Sequence, residues 1–200
     1  RAVVPRPRVL LMDEPFSNLD KRMRDLVRDS TIALLRETGA TAVIVTHDPE
    51  EAMRIADRIV LMRQGRIVQI GDARTLYRHP ADLQAARFFC EINELQGVVR
   101  GGRVQTPLGG FSAGGLAEGS AAALCVRPQG IDILPAGQGV PARILQRRFI
   151  GPVDMFELVI DGLDDPLIAR IRHALPYGKG QDVGIRIDAE EVLVFAAAAS

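Results

Sequence analysis

The chain has 200 residues, enough for one or two domains with cores of their own. Apolar residues make up 47% and charged residues 25%, and 25 basic side chains balance 25 acidic ones, so overall charge gives no support to nucleic-acid or anionic-membrane binding. No stretch reaches the roughly 18 uninterrupted apolar residues of a membrane span, and no secretory leader is expected. Cys90 and Cys125 stand far apart and without metal-ligand spacing, which suits thiols of a reducing compartment and points to a soluble cytoplasmic protein. The first residue is Arg1 rather than Met, which leads us to expect a fragment or a processed product.

Val9-Leu10-Leu11-Met12 is an apolar run that stops abruptly at Asp13-Glu14-Pro15, and a second run, Ala42–Thr46, stops at His47-Asp48. Unbroken runs of this kind predict parallel strands covered on both faces. Between them Met23, Leu26, Val27, Ser30 and Leu34 recur at helical spacing and predict one stripe, with Asp20 as the cap and Gly39 as the left-handed stop. Lys21 and Arg22 oppose the helix dipole in the first turn. Strand, helix and strand together make a right-handed βαβ unit. A short helix is predicted from Pro49 to Asp57, with Glu50 and Glu51 suiting its dipole. Ile59–Met62, the Gln64-Gly65 turn and Arg66–Ile70 predict a hairpin, and helices follow at 72–78 and 82–89.

Glycine usage divides the chain. Only Gly39, Gly65 and Gly71 precede residue 95, and the other 16 of 19 follow it. The shift places a boundary near Asn93 to Gly97 and predicts two domains, 1–94 of α/β type and 95–200 all-β. In the second, strands are predicted near 95–100, 103–106, 122–126, 131–134, 140–149, 153–160, 167–172, 182–187 and 192–195, the spacing of a small barrel or sandwich.

In an open parallel sheet, ligands bind beyond the carboxyl ends of the strands. Asp13, Glu14 and His47 stand at such ends, on strands joined by one crossover, so topology brings them to one edge. Consecutive strand residues point to opposite faces, which allows the two carboxylates different jobs. Asp13 can face a Mg²⁺ ion through a coordinated water, because Mg²⁺ takes few protein ligands. Glu14 can orient or deprotonate the water that attacks a γ-phosphate, and His47 can donate a hydrogen bond to that phosphate. The plain alternative is that Asp13 and Glu14 open a polar turn while His47-Asp48-Pro49 caps the next helix.

In this order and spacing, residues 1–97 resemble the second half of an ABC transporter nucleotide-binding subunit. Val9–Glu14 is similar to the Walker B strand, Ser17-Asn18-Leu19-Asp20 to the D-loop and Thr46-His47-Asp48 to the switch loop. Residues 64–71 resemble the family's closing hairpin, and Tyr77-Arg78-His79-Pro80 with Asn93 resembles its link into an accessory domain. The resemblance implies a partial P-loop NTPase parallel sheet, ATP and Mg²⁺ as ligands, Glu14 as catalytic base, Asp13 as the magnesium-side acid and His47 as the γ-phosphate sensor. It implies that Ser17 and Asp20 face the nucleotide on the surface toward a second ATPase subunit in a homodimer, and that Arg1-Ala2 ends the helix after the signature motif. Residues 95–200 resemble the transport-associated OB-like domain of importer ATPases, through Arg127-Pro128-Gln129-Gly130-Ile131, Phe149-Ile150-Gly151, Gly180-Gln181-Asp182-Val183 and Glu191–Phe195. The further partners implied are transmembrane permease subunits and, indirectly, a periplasmic or extracellular solute-binding protein, with no nucleic acid. The implied location is cytoplasmic, on the inner face of the membrane.

A phosphate loop needs glycines whose N–H groups surround the phosphates, with a lysine and a Ser or Thr beside them. The chain's two lysines, Lys21 and Lys179, lack those neighbours, and Leu-Ser-Gly-Gly-Gln is absent. The expectation is the carboxy-terminal part of an importer ATPase, leaning toward ferric iron or polyamine uptake, that holds half of a site and is inactive alone. The alternative is a regulatory, ligand-sensing or dimerisation module in the β half. A DNA-repair or chromosome-associated ATPase fits less well, for lack of coiled coil or basic surface.

Overall fold

The computed structural model describes residues 8–197, and the chain divides into two units, Arg1–Ala81 and Asp82–Ser200. The expectation for Arg1-Ala2 lies outside the described residues. In the first unit, β1 (Val9–Asp13) pairs in parallel with β2 (Thr41–Val45), Val9 opposite Thr41 and Asp13 opposite Val45. Helix α1 (Lys21–Thr38) connects them. The Asp20 carboxylate accepts the N–H groups of Arg22 and Met23 at 3.1 Å, and Gly39 stops the helix at φ 64°.

Two expectations are corrected here. The buried face of α1 lies one residue round from the predicted stripe: Arg28 and Leu35 are buried, whereas Met23, Leu26 and Leu34 are 47%, 65% and 43% exposed. Arg28 can stand in a buried face because its stem is apolar while its guanidinium reaches Asp25 at 2.8 Å and Asp29 at 3.1 Å. Nor are the strands covered on both faces. Leu10, Met12, Ala42 and Ile44 are half-buried, but Val9, Leu11, Val43 and Val45 on the opposite face are exposed. Among the described residues the parallel sheet consists of these two strands, so no further layer covers that face.

Helix α2 (Pro49–Ile55) leads to the antiparallel hairpin of β3 (Ile59–Arg63) and β4 (Arg66–Gly71). Gln64 and Gly65 both take positive φ there, 51° and 73°, as a tight two-residue hairpin turn requires. Helix α3 (Ala73–Arg78) follows. The Gln69 amide donates to the His79 carbonyl and accepts the Ala81 N–H, both at 2.8 Å, so the hairpin holds the chain where it leaves the unit.

The second unit opens with α4 (Leu83–Phe89) and continues through β5 (Asn93–Arg100), β6 (Arg103–Thr106), β7 (Gly109–Ser112), β8 (Ala121–Val126), β9 (Ile131–Leu134), β10 (Val140–Phe149), β11 (Asp154–Val159), β12 (Leu167–Ile171), β13 (Asp182–Ile187) and β14 (Val192–Ala196). One antiparallel sheet has the order β14-β8-β5-β6-β7 and the other β12-β11-β10-β13-β9. Leu95, Leu124 and Val126 of the first share one core with Ile133, Ile144, Phe156, Leu158 and Ile185 of the second, an OB-like arrangement. Ion pairs cover the outside of the second sheet, Arg143 with Asp182 and Arg186 with Asp132, each 2.7 Å across neighbouring strands. Strand β7 was not expected, because Gly109-Gly110 carries no strand pattern; it forms because Thr106 Oγ1 donates to the Gly109 carbonyl and closes the turn.

Two polar residues hold the margins of the sheets. Asn93 Nδ2 donates to the carbonyls of Val126 and Ile168 while its Oδ1 accepts the Ile168 N–H at 2.6 Å, joining β5, β8 and β12. Arg127, fully buried, pairs with Glu191 at 3.3 Å, and its N–H donates to the Glu191 carbonyl. Gly130 sits so close to this crossing that a Cβ there would meet Glu191 Cβ at 2.3 Å. Cys90 and Cys125 are buried near the same place, and burial pushes the Cys125 thiol up to about 12.

The predicted boundary at residue 94 falls inside β5. Helix α4 belongs to the second unit, because Arg87 holds both Glu94 oxygens at 2.8–2.9 Å and the chain runs from it straight into Asn93. Residues 82–200 should therefore fold alone. Within them, Asn93→Ala strands polar groups of two sheets and should lower the unfolding free energy by about 1–3 kcal/mol. Denaturant unfolding reads this directly, and an unchanged midpoint would remove the bridging role.

Candidate functional site

Because β1 and β2 run parallel and in register, both deliver their carboxyl ends to the same edge. The Glu14 N–H donates to the Val45 carbonyl at 2.8 Å, carrying the pairing one residue beyond the strand. Glu14 then turns the chain at φ 43°, a left-handed conformation that costs a non-glycine residue about 1 kcal/mol or more. The turn that follows is closed by Ser17, whose Oγ and N–H donate to the Glu14 carbonyl at 3.0 and 3.3 Å. Phe16, 2% exposed, anchors the turn from inside.

Glu14 Oε1 lies 2.8 Å from His47 Nδ1. An ionised carboxylate only accepts, so the imidazole must carry its proton on Nδ1. That hydrogen bond first, and the Glu14 charge second, raise the His47 pKa above its ordinary 6.5; Asp48 and Glu51 add smaller contributions in the same direction. Both side chains remain in contact with solvent, so the pair defines geometry more than it stabilises the fold.

Asp48 N–H donates to Thr46 Oγ1 at 3.1 Å, and Asp48 Oδ1 accepts the N–H groups of Glu50 and Glu51, capping α2. From α1, Arg24 Nη2 donates to the Leu19 carbonyl at 3.1 Å and Nη1 stands 3.8 Å from Asp48 Oδ2. Glu14, Ser17, Arg24, Thr46, His47 and Asp48 line a concavity of about 70 Å³, room for a few waters.

Of the residues singled out from the sequence, Glu14, Ser17 and His47 meet in this concavity. Asp13 stands on the other face, in line with Val9 and Leu11, and its exposed carboxylate is not part of the lining. Asp20 uses its carboxylate as the α1 cap. The plain alternative is realised alongside the pairing, since Asp48 does cap α2. Arg24 and Glu51 were missed. Arg24 was findable: it lies one helical turn beyond Asp20, on the end of α1 that must face the strand edge.

Residues 124–195 match the TOBE domain family, and over most of its length the chain is similar to proteins named as import ATP-binding proteins. It is 35% identical over 194 residues to the Fe(3+) ions import ATP-binding protein FbpC of Streptomyces coelicolor, covering 97% of this chain and 56% of the relative. It is 36% identical to the spermidine/putrescine import ATP-binding protein PotA 1 of Pseudomonas aeruginosa, over 76% of this chain and 44% of that one. Against the sulfate/thiosulfate import ATP-binding protein CysA 2 of Chromobacterium violaceum the identity is 38%, over 82% and 46%. The chain spans about half the length of the curated relatives it matches. No helix among the described residues is long and apolar enough to cross a membrane.

The His47 shift has a definite sign. A raised value means that the pair's contribution is complete below about pH 6.5 and lost as pH rises through the folded value. Titration of the His47 ring by NMR should give a midpoint above 6.5, and Glu14→Gln should bring it back toward that value. A midpoint indifferent to Glu14→Gln would show that the two side chains do not pair.

Proposed function

We propose that the chain is the carboxy-terminal part of an importer ATPase, in which Asp13, Glu14 and His47 form one half of an ATP-hydrolysing site. The observation that carries this reading is the 2.8 Å contact between Glu14 and His47 at the carboxyl ends of two adjacent parallel strands. On this reading β1 and β2 are two strands of a P-loop NTPase sheet, and their exposed apolar face is where a further layer of that domain would pack.

The chemistry follows from the groups present. Glu14 accepts a proton from water as the water oxygen closes on the γ-phosphorus and the bond to the ADP oxygen lengthens. With Nδ1–H donated to Glu14, Nε2 donates to the γ-phosphate only when the imidazole carries both protons, a form that the Glu14 contact favours by raising the His47 pKa, and it then steadies both the phosphate and the base. Asp13, a lone exposed carboxylate, suits Mg²⁺, which takes one or two carboxylates together with phosphate oxygens and would neutralise their charge. Ser17 holds the Glu14 turn, and with Asp20 it lies on the surface that a second ATPase subunit of a homodimer would face. Transmembrane permease subunits would hold the assembly at the inner face of the membrane, with a solute-binding protein outside. Iron and polyamines, named among the relatives' cargoes, are the favoured solutes.

Neither lysine has phosphate-loop neighbours, so the 200-residue chain by itself should show no significant turnover. In a protein completed upstream, Glu14→Gln should lower turnover about 10²- to 10⁴-fold while leaving ATP binding largely intact. A steady-state assay paired with equilibrium nucleotide binding checks both, and surviving turnover would end the assignment of Glu14 as the base.

One observation favours a second role for the β unit. Phe149 at the end of β10 and Ile150 in the turn after it are 77% and 44% exposed, with Leu145 nearby in sequence at 44%. Exposed apolar side chains at a hairpin tip suit self-association. Sedimentation of residues 82–200 should then show a concentration-dependent dimer that Phe149→Ser weakens, and a monomer at all concentrations would dismiss this role.

A further inference from the structure

We propose that Arg24 is a positioning residue that couples the turn carrying Glu14 to the loop carrying His47 and keeps the two side chains in contact. The coupling concerns geometry within the chain; only its consequence for turnover rests on the hydrolase reading above.

Arg24 belongs to neither loop. It projects from the second turn of α1 and reaches each loop with a different nitrogen, Nη2 to the Leu19 carbonyl at 3.1 Å and Nη1 to within 3.8 Å of Asp48 Oδ2. Leu19 follows the turn that Ser17 closes onto the Glu14 carbonyl, and its own N–H donates to the Phe16 carbonyl within that turn at 3.4 Å. Asp48 is the next residue after His47, and its two oxygens are divided: Oδ1 caps α2, which leaves Oδ2 to face the guanidinium. The start of α2 and the segment that joins β1 to α1 are thus tied to one rigid helix through a single planar group.

The identity of the residue matters for that geometry. A guanidinium presents donors in a fixed fork and can address two acceptors lying in different directions, whereas an ammonium is a point charge on a flexible stem. Arg24 Nε is buried without a hydrogen-bond partner among the described residues, so the group is oriented by its two Nη contacts alone. The charged groups around His47 are Glu14 from β1, Asp48 and Glu51 from α2, and Arg24 from α1. Arg24 is the cation of this set. Without it, Asp48 and Glu51 would face Glu14 across the concavity with no opposing charge except the imidazole itself. Lys21 and Arg22, one turn earlier, are exposed.

The test uses the 200-residue chain with ¹⁵N-labelled histidine, and His47→Gln assigns the His47 signal among the chain's three histidines. In the wild type, at a pH where the ring is neutral, the imidazole spectrum should show the proton on Nδ1. Arg24→Ala should reduce that tautomer about twofold or more, since a neutral exposed imidazole otherwise favours the other nitrogen. Arg24→Lys should fall between the two. Thermal unfolding should move little, because the Arg24–Asp48 pair is loose at 3.8 Å and more than a third exposed on both sides. A wild-type tautomer ratio in Arg24→Ala, or in Arg24→Lys if the alanine variant does not fold, overturns the coupling. In the completed protein, Arg24→Ala should lower kcat about tenfold with little change in KM for ATP. Loss of the tautomer shift sinks the coupling. Survival of turnover in Glu14→Gln sinks the hydrolase reading and leaves the coupling intact.

Discussion

The parallel pairing of β1 with β2 constrains everything else in the first unit. Two strands that run the same way must be joined by a crossover, and the crossover here is α1. Register then decides which residues meet. With Asp13 opposite Val45, one further hydrogen bond from the Glu14 N–H carries the alignment past the strand ends and sets Glu14 beside His47. A slip by one residue would turn both side chains to the other face, where Val9, Leu11, Val43 and Val45 stand. The α1 amino terminus lies beside the same edge because Asp20 starts the helix directly after the turn that Glu14 begins.

The second unit is organised by a different constraint. Two sheets that share a core still have to exchange strands at their margins, and each exchange strands backbone groups that no ladder satisfies. Asn93 and Arg127 meet that need at separate places. One supplies an amide that bonds to both sheets; the other supplies a buried guanidinium held by Glu191. Both belong to segments that stand out in the sequence, Asn93 at the link and Arg127-Pro128 at a strand end. Their contacts place these residues in the architecture of the unit.

Much of this architecture could be read from the chain alone, for physical reasons that differ from element to element. Strands β8, β9, β10 and β13 alternate or run apolar over lengths that admit few other conformations, and capped helices such as α1 announce both of their ends through Asp20 and Gly39. Strand β7 escaped because glycine carries no pattern and its turn is made by one threonine hydroxyl. The buried face of α1 escaped for the opposite reason: Arg28 reads as a surface residue, and its apolar stem is invisible to a hydropathy count. At the site, Glu14 and His47 were legible because strand ends are predictable from apolar runs. Arg24 is less legible because it sits on a helix, away from either run, and acts across space. Coverage of the β1–β2 face was inferred from the runs themselves, yet an apolar run states what a strand needs, and says nothing of whether a neighbour is present to supply it.

Glu14 is also one of two non-glycine residues with a positive φ among those described, and the other, Gln64, sits in a hairpin turn that commonly takes Asn or Gly. At position 14 the backbone and the side chain make opposing demands. The main chain there would be most relaxed with a residue that has no Cβ, and the pocket would then lose its carboxylate. Fold stability and site chemistry therefore rank the twenty amino acids in different orders at this one position, and substitutions that loosen the site there are the ones the backbone would welcome.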